Sequence, residues 1–321
     1  MTTLRAVKQT QLHGFKRSEK EEITMAERIT RAQIPMSEMT ITPGSACQGC
    51  GAALASRLAF KALGPNVIRH GIPCCPDSVT KTPRTGTVFE GGGALLTGTA
   101  HGLKALGRSD VKAVAFFGDG GTYDIGFQGL SGAAERNENV FVITKDNEAY
   151  MNTGNQRSGS TPKYSRTSTT PVGVASRGKT TQKKNVPFIF AAHYVPYVGT
   201  ASVGYPEDLI AKVNYAKDIE GFRMLIIQAP CPVGWRYDPA KTIEVARSGV
   251  QSGVWPLMEI EYGEKFKLNY KPKELKPVSE YLKPQARFRH MTDDEIGEVQ
   301  EFTSARWESL IDNDAKGKLL M

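Results

Sequence analysis

Sulfur chemistry is the first possibility the residue types raise. The chain has five cysteines: Cys47 and Cys50 form a C-x-x-C pair, Cys74 and Cys75 are adjacent, and Cys231 stands in Pro230-Cys231-Pro232. An odd cysteine count without a secretory leader argues against a disulfide framework. Cys47, Cys50, one of Cys74 and Cys75, and Cys231 make four thiolates from three separated segments, a donor set that suits zinc or an iron–sulfur cluster. Spacing does not choose between the two. A second constellation offers oxygen. Gly118-Asp119-Gly120-Gly121 is followed, 28 residues after the aspartate, by Asn147. One carboxylate and one amide oxygen suit Mg²⁺, which takes one or two protein oxygens together with phosphate oxygens. Glycines let backbone N–H groups approach phosphates, and a helix following Thr122 would turn its N-terminus toward them. Gly-Asp-Gly alone is equally a tight turn; the properly spaced Asp146-Asn147 makes it a candidate site for a metal-bridged diphosphate.

These residues need elements to position them. Val111–Phe117 and Val140–Thr144 are continuous apolar runs, read as buried parallel strands. Between them, 123–136 reads as a helix with Ile125, Phe127, Leu130 and Ala133 to one side and Gly126, Gly129 and Gly132 on a close-packing side. The resulting βαβ unit ends both strands at the same sheet edge, where open α/β folds bind ligands. Helices are expected over 50–63, from Gly91 to about 106, from Pro206, and over 292–312. Strands are expected from Val67, over Phe188–Val198 and over Met224–Gln228, which runs into the Cys231 turn. Residues 153–184, rich in Ser, Thr, Gly, Lys and Arg, read as a long loop, in which 157–184 is either a surface for coenzyme A or a partner or, more simply, solvated. The sheet pattern is expected to stop after about 255, with Tyr270–Pro284 extended. The expected fold class is α/β, a mostly parallel sheet with helices on both faces. Residues 1–40 would form an N-terminal arm, 41–255 the binding domain and 256–321 a C-terminal extension.

Composition narrows the class. With 40% hydrophobic and 23% charged residues, the chain reads as a globular protein, and no apolar run approaches the ~18–20 residues of a membrane span. The N-terminus has no apolar h-region, which leaves the cytoplasm as the expected location and no membrane partner. The net charge of +8 is spread along the chain, without Lys/Arg interleaved with aromatics. Anionic cofactors and acidic proteins therefore fit it better than nucleic acid.

The stretch GDGGTYDIGFQGLSGAAERN, continued by DNEAYMNTGNQRSGSTP, resembles the thiamine-diphosphate-binding β subunit of pyruvate:ferredoxin-type 2-oxoacid oxidoreductases. The resemblance runs from about 44 to 175 and again around 225–240. It implies a thiamine-diphosphate-binding fold. Asp119 and Asn147 would be Mg²⁺ ligands, with the Ala149 carbonyl a third, and Gly118, Gly120, Gly121 and Thr122 would surround the diphosphate. Gly49 and Gly51 would lie against the thiamine, and Asn152 would approach the reacting centre. It also implies a [4Fe-4S] cluster on Cys47, Cys50, Cys75 and Cys231 in place of zinc, Cys75 being chosen because it follows Cys50 by 25 residues and Cys74 being left as a buried neighbour. The implied reaction is decarboxylation of a 2-oxoacid on thiamine diphosphate, electrons passing singly to the cluster and coenzyme A taking the acyl group. The implied partners are a pyrimidine-binding α-type subunit, a γ-type subunit and a ferredoxin-like δ-type subunit, with ferredoxin or an NAD(H)-linked system as acceptor. Cys74-Cys75-Pro76-Asp77-Ser78 and Arg84-Thr85-Gly86-Thr87 depart from the pyruvate-type pattern, which favours another 2-oxoacid such as an aryl glyoxylate. His70, His101 and His193 are expected to be hydrogen-bonded structural residues. Arg84 and Arg157 remain candidates for contacts with a carboxylate or with coenzyme A.

Overall fold

The computed structural model describes residues 25–41, 44–75 and 79–319. In chain order the elements are β1 (Thr40–Ile41), α1 (Gly51–Leu63), β2 (Val67–Gly71), β3 (Val79–Thr80), β4 (Arg84–Gly86), α2 (Gly92–Ala105), β5 (Lys112–Gly118), α3 (Phe127–Glu135) and β6 (Val140–Asp146). There follow β7 (Val172–Gly173), β8 (Ser176–Arg177), α4 (Val186–Ala191), β9 (Tyr197–Ser202), α5 (Pro206–Ala216), β10 (Phe222–Gln228), α6 (Pro232–Trp235) and α7 (Thr242–Gln251). The C-terminal part supplies β11 (Met258–Glu261), β12 (Lys265–Leu268), α8 (Val278–Leu282) and α9 (Asp293–Lys316).

The apolar runs pair as their composition requires. Fully buried strands need apolar residues on both faces, and β5, β6 and β10 are apolar through their middles, with polar residues toward their ends. β5 lies parallel to β6 with Gly118 opposite Lys145, and β10 lies parallel to β6 with Gln228 opposite Asp146. Asp119, Asn147 and the Pro230-Cys231-Pro232 turn therefore leave the sheet at one edge. Among the described residues the main sheet has eight strands in the order β12-β11-β9-β10-β6-β5-β2-β4. It is parallel from β9 to β4, with β11 and β12 antiparallel at the end. One face is covered by α2, α3, α4 and α9, the other by α1 and α5. The expected α/β fold with helices on both faces is what forms. α2 and α3 touch at their glycines: a Cβ on Gly93 would lie 2.3 Å from the Gly129 carbonyl oxygen. Gly132 takes no part in that contact.

Three expectations are corrected. Phe188–Val198 is not one strand. Pro187 lies in the first turn of α4, where its missing N–H costs nothing, and β9 begins only at Tyr197. Phe190 stacks on Phe222 at 5.7 Å between centroids, and a short buried helix is as apolar as a buried strand. Nor does the sheet stop near 255, because β11 and β12 extend it. Met258-Glu259-Ile260-Glu261 reads as half solvated, yet both glutamates are fully buried. Glu259 accepts from the Ala26 N–H (3.2 Å), the Tyr197 hydroxyl (3.0 Å) and Asn269 Nδ2 (2.5 Å). Tyr270–Pro284, finally, contains α8. Of the expected arm, residues 1–24 lie outside the described residues. Its remainder is fastened by that Ala26 bond, by Arg28 to the Asn269 carbonyl (2.8 Å) and by Arg31 to Glu207 (2.9 Å). α9 starts on a reciprocal cap between Thr292 and Glu295. No helix among the described residues is long and apolar enough to cross a membrane.

Candidate active site at the sheet edge

The chain leaves β5 through one wide helical turn, Gly120–Asp124, before α3 begins. Asp119 is buried at the head of this turn and accepts a 2.6 Å hydrogen bond from the Ser158 hydroxyl. Burial, and the neighbouring Asp146 carboxylate, hold the Asp119 carboxyl well above the usual carboxylate range, against the pull of Ser158 and the Gly120 N–H. Such a site gains by admitting a cation. At the end of β6, Asn147 is nearly buried, and its Oδ1 has no hydrogen-bond partner among the described residues. An orphaned buried amide oxygen costs about 1–3 kcal/mol, and beside a buried carboxylate it is half of a hard-cation site. Asp119, Asn147 and the buried Ala149 line a cleft of about 120 Å³ with Cys75, Gly118, Gly120 and Asn152. The oxygen donors thus fit Mg²⁺ with a diphosphate. Asn152 is exposed at the rim.

Not every residue of the turn is open to a ligand. The Thr122 hydroxyl donates to the Gly118 carbonyl (3.0 Å) and meets Thr144 Oγ1 at 2.8 Å, so its side chain holds the turn and only its backbone N–H remains to offer. Gly120 is required by packing as well as by any phosphate, because a Cβ there would lie 2.2 Å from the Tyr150 ring. Gly49 and Gly51 likewise answer to protein backbone. Gly49 has φ +67° and passes Pro239, and the Gly51 N–H donates to the Pro230 carbonyl at 3.1 Å. The C-x-G-C-G loop is thereby docked on the turn that carries Cys231.

That docking sets the loop carrying Cys50 beside the turn carrying Cys231. Cys50 caps α1, its Sγ accepting from the Ala53 N–H at 3.5 Å, and Cys231 caps α6 from the Gly234 N–H at 3.3 Å. Burial, then the sulfurs of Cys231, Cys50 and Cys74, push the Cys75 thiol up to about 12, with Lys145 opposing. The Cys231 thiol is raised by burial and by Cys50 and Cys47, with the Gly234 N–H opposing. Both members of the adjacent pair line the cleft: Cys75 Sγ accepts from Asn147 Nδ2 at 3.7 Å, while Cys74 Sγ donates to the Cys75 carbonyl at 3.4 Å. Among the described residues no three His, Cys, Asp or Glu converge as ligands of a single ion.

A third set of residues was not legible in the sequence. The loop after Asn152, expected to be solvated, is threaded beneath the site. Ser158, Ser160 and Thr161 are fully buried. Ser160 donates to Asp146 (2.5 Å) and Thr161 to the Glu148 carbonyl (2.7 Å). Lys183 bridges Asp146 (2.8 Å) and Glu148 (3.3 Å), and Arg287 of the C-terminal extension closes on Glu148 at 2.6 Å with its guanidinium 3.8 Å from the Trp235 ring centroid. Glu148 itself has φ +66°, a left-handed conformation that these ion pairs hold in place. The lone-histidine expectations agree with the structure. His101 pairs with Glu138 (2.8 Å), His193 lies between Ser131 (2.8 Å) and the Ile189 carbonyl (2.9 Å), and His70 meets Thr85 at 3.2 Å. Arg84 and Arg157 are exposed and do not line the cleft.

Comparison with known proteins bears on the family and the fold. The family described as thiamine pyrophosphate enzyme, C-terminal TPP binding domain, matches residues 89–227. That interval holds Asp119 and Asn147 and none of the five cysteines. Pyruvate synthase subunit PorB of Methanothermobacter thermautotrophicus is 46% identical over 85% of this chain and 97% of its own length. Ketoisovalerate oxidoreductase subunit VorB of Pyrococcus abyssi is 43% identical over 87% of this chain and 94% of its own. In fold the chain is similar to the 2-oxoglutarate:ferredoxin oxidoreductase of Magnetococcus marinus, with a TM-score of 0.53 and 22% identity, over 70% of this chain and 84% of that one. The chain belongs to the family of thiamine-diphosphate-binding β subunits of 2-oxoacid oxidoreductases.

Proposed function

We propose that the chain, as one subunit of a hetero-oligomer, oxidatively decarboxylates a 2-oxoacid to an acyl-CoA and passes the electrons singly to a [4Fe-4S] cluster on Cys47, Cys50, Cys75 and Cys231. One observation carries this reading: Cys75 lines the same 120 Å³ cleft as Asp119 and Asn147, so the sulfur and oxygen sites share a wall. Bound thiamine diphosphate supplies the electron sink that decarboxylation needs. Asp119, Asn147 and the Ala149 carbonyl hold its Mg²⁺, and the Gly118–Thr122 turn lets backbone N–H groups approach the diphosphate. Asn152, at the rim, orients the substrate. Proton removal from thiamine falls to another subunit, because the glutamate beside the motif, Glu148, is held by Lys183 and Arg287. The reading assigns the pyrimidine face to an α-type subunit, accessory contacts to a γ-type subunit, and onward transfer to a ferredoxin-like δ-type subunit serving ferredoxin or an NAD(H)-linked acceptor. Relatives named for pyruvate and ketoisovalerate favour a short or branched aliphatic acid over the aromatic one that residues 74–90 suggest.

Anaerobic purification of the native complex tests this directly. Iron, sulfide and thiamine are expected to copurify, and coenzyme A-dependent viologen reduction is expected with pyruvate or 2-oxoisovalerate, and not with phenylglyoxylate. Full-rate turnover by the isolated chain, or zinc in place of iron, would overturn the proposal.

A further inference from the structure

Asn147 stands between the two sites, and its side chain has two ends of opposite polarity. Oδ1 is buried and unpartnered on the oxygen side. Nδ2 lies 3.7 Å from Cys75 Sγ, as a donor. The backbone of the residue is fixed from the cluster side as well: the Trp235 indole N–H donates to its carbonyl at 2.8 Å, from the helix that Cys231 caps. We propose that Asn147 couples the two cofactors, its amide oxygen facing the metal and its amide N–H donating to the Cys75 sulfur of the cluster. This rests on the function proposed above and adds a role for Asn147 that metal ligation does not require.

The chemistry explains why an amide stands here. A cation needs an acceptor and a thiolate needs a donor, so only one orientation of the amide satisfies both sides. A carboxylate would hold Mg²⁺ at least as well, yet it would turn a second anion toward sulfurs that already repel one another. Hydrogen bonds to cluster sulfurs stabilise the more negative, reduced state and raise the reduction potential. Withdrawal of electron density from Oδ1 by a bound cation polarises the N–H and strengthens the bond at its other end. Occupancy of the oxygen site therefore raises the cluster potential, and by reciprocity cluster reduction tightens the oxygen site.

The test uses the full chain with its cluster reconstituted anaerobically. EPR-monitored redox titrations are run with and without Mg²⁺ and thiamine diphosphate, and calorimetry measures binding of the pair. In wild type the potential is expected to rise on loading. Without loading, both Asn147→Asp and Asn147→Ala are expected to titrate at more negative potential than wild type. Asn147→Asp retains cofactor binding, whereas Asn147→Ala weakens it about tenfold or more. A purely structural or purely metal-binding Asn147 would leave the unloaded potential in place, and wild-type potentials in both variants would overturn the proposal. Should the variants fail to hold a cluster, wild-type protein carrying ¹⁵N only in asparagine side-chain amides decides the matter. Pulsed EPR of the reduced cluster is expected to show a weak ¹⁵N coupling, and its absence overturns the coupling. Zinc in place of iron would overturn the reading of the site itself, a different failure from an unmoved potential.

Discussion

The two halves of the site are built differently. The proposed oxygen ligands, Asp119 and Asn147, come from the ends of adjacent parallel strands, buried and in the register that pairs Val114–Gly118 with Phe141–Lys145. Moving Asp119 against Asn147 would mean slipping that register and turning every buried side chain to the opposite face. The proposed sulfur ligands come from three separate segments, held by helix caps and by the Gly51–Pro230 backbone contact, and Cys47 is exposed. The strand-borne half is part of the fold's stability, whereas the sulfur half is attached to it. Removing ligands from the second should therefore destroy chemistry without destroying the protein. Cys231→Ala is expected to abolish electron transfer to viologen while the chain keeps its far-ultraviolet circular dichroism and its affinity for thiamine diphosphate. Loss of the folded signal would show that the sulfur half also supports the sheet.

Asp119→Ala makes the opposite cut. Thiamine diphosphate affinity in the presence of Mg²⁺ is expected to fall by about 10–100-fold, with iron content unchanged. A matching fall in iron would show that the halves cannot be separated in that direction.

The buried charges behind Asn147 belong to the strand-borne half, and their removal should act on stability. Arg287 and Glu148 are almost wholly buried and 2.6 Å apart. Arg287→Leu leaves the Glu148 charge with Lys183 alone, and breaking a buried pair from one side costs about 3–5 kcal/mol, readable as a lower denaturant midpoint. Ser158→Ala removes a single hydrogen bond to the Asp119 carboxyl, for which about 0.5–1.5 kcal/mol is expected in denaturant midpoints.

Residues legible in the sequence were those whose type announces a chemistry or whose neighbours announce an element. β5, β6 and β10 are apolar runs that end in the motif residues, and the four thiols are few enough to be read as a set. What stayed hidden was pairing at a distance. Arg287 and Glu148 lie 139 positions apart, and Ser158 and Asp119 lie 39 apart. Taken singly, a serine in a polar loop, a lysine after it and a glutamate in a two-residue alternation all read as solvated. Glu259 and Glu261 became strand residues only because Tyr197, Asn269, Tyr215 and the backbone of residue 26 supply partners that no local pattern contains. The apolar stretch at 188–198 failed for the opposite reason, since its hydrophobicity says burial and does not say which element is buried.

The smallest expected effect lies at the outer anchor of the sulfur half. β1 pairs antiparallel with β3, a few residues beyond Cys75, and Glu38 ties this ribbon to α1 through Arg57 (2.6 Å) and the Thr40 hydroxyl (2.6 Å). Against the opposing effect of burial, these partners and the Thr40 N–H lower the Glu38 carboxyl from 4.5 to about 2. A carboxyl depressed in the folded state contributes stability at pH values above its unfolded value, and that contribution disappears as pH falls through the folded one. The pair is partly exposed, with 53% of the Arg57 side chain and 29% of that of Glu38 accessible, so solvent screening limits its worth to about 1 kcal/mol or less. Glu38→Gln is expected to cost that much at pH 7 and progressively less between about pH 4.5 and pH 2, in denaturant midpoints measured across that range. The same variant should lose iron faster than wild type to an added chelator at pH 7, because it loosens α1 and the Cys75 segment together. An unchanged rate of iron loss would mean that the caps and the Gly51–Pro230 contact hold the sulfurs without the ribbon.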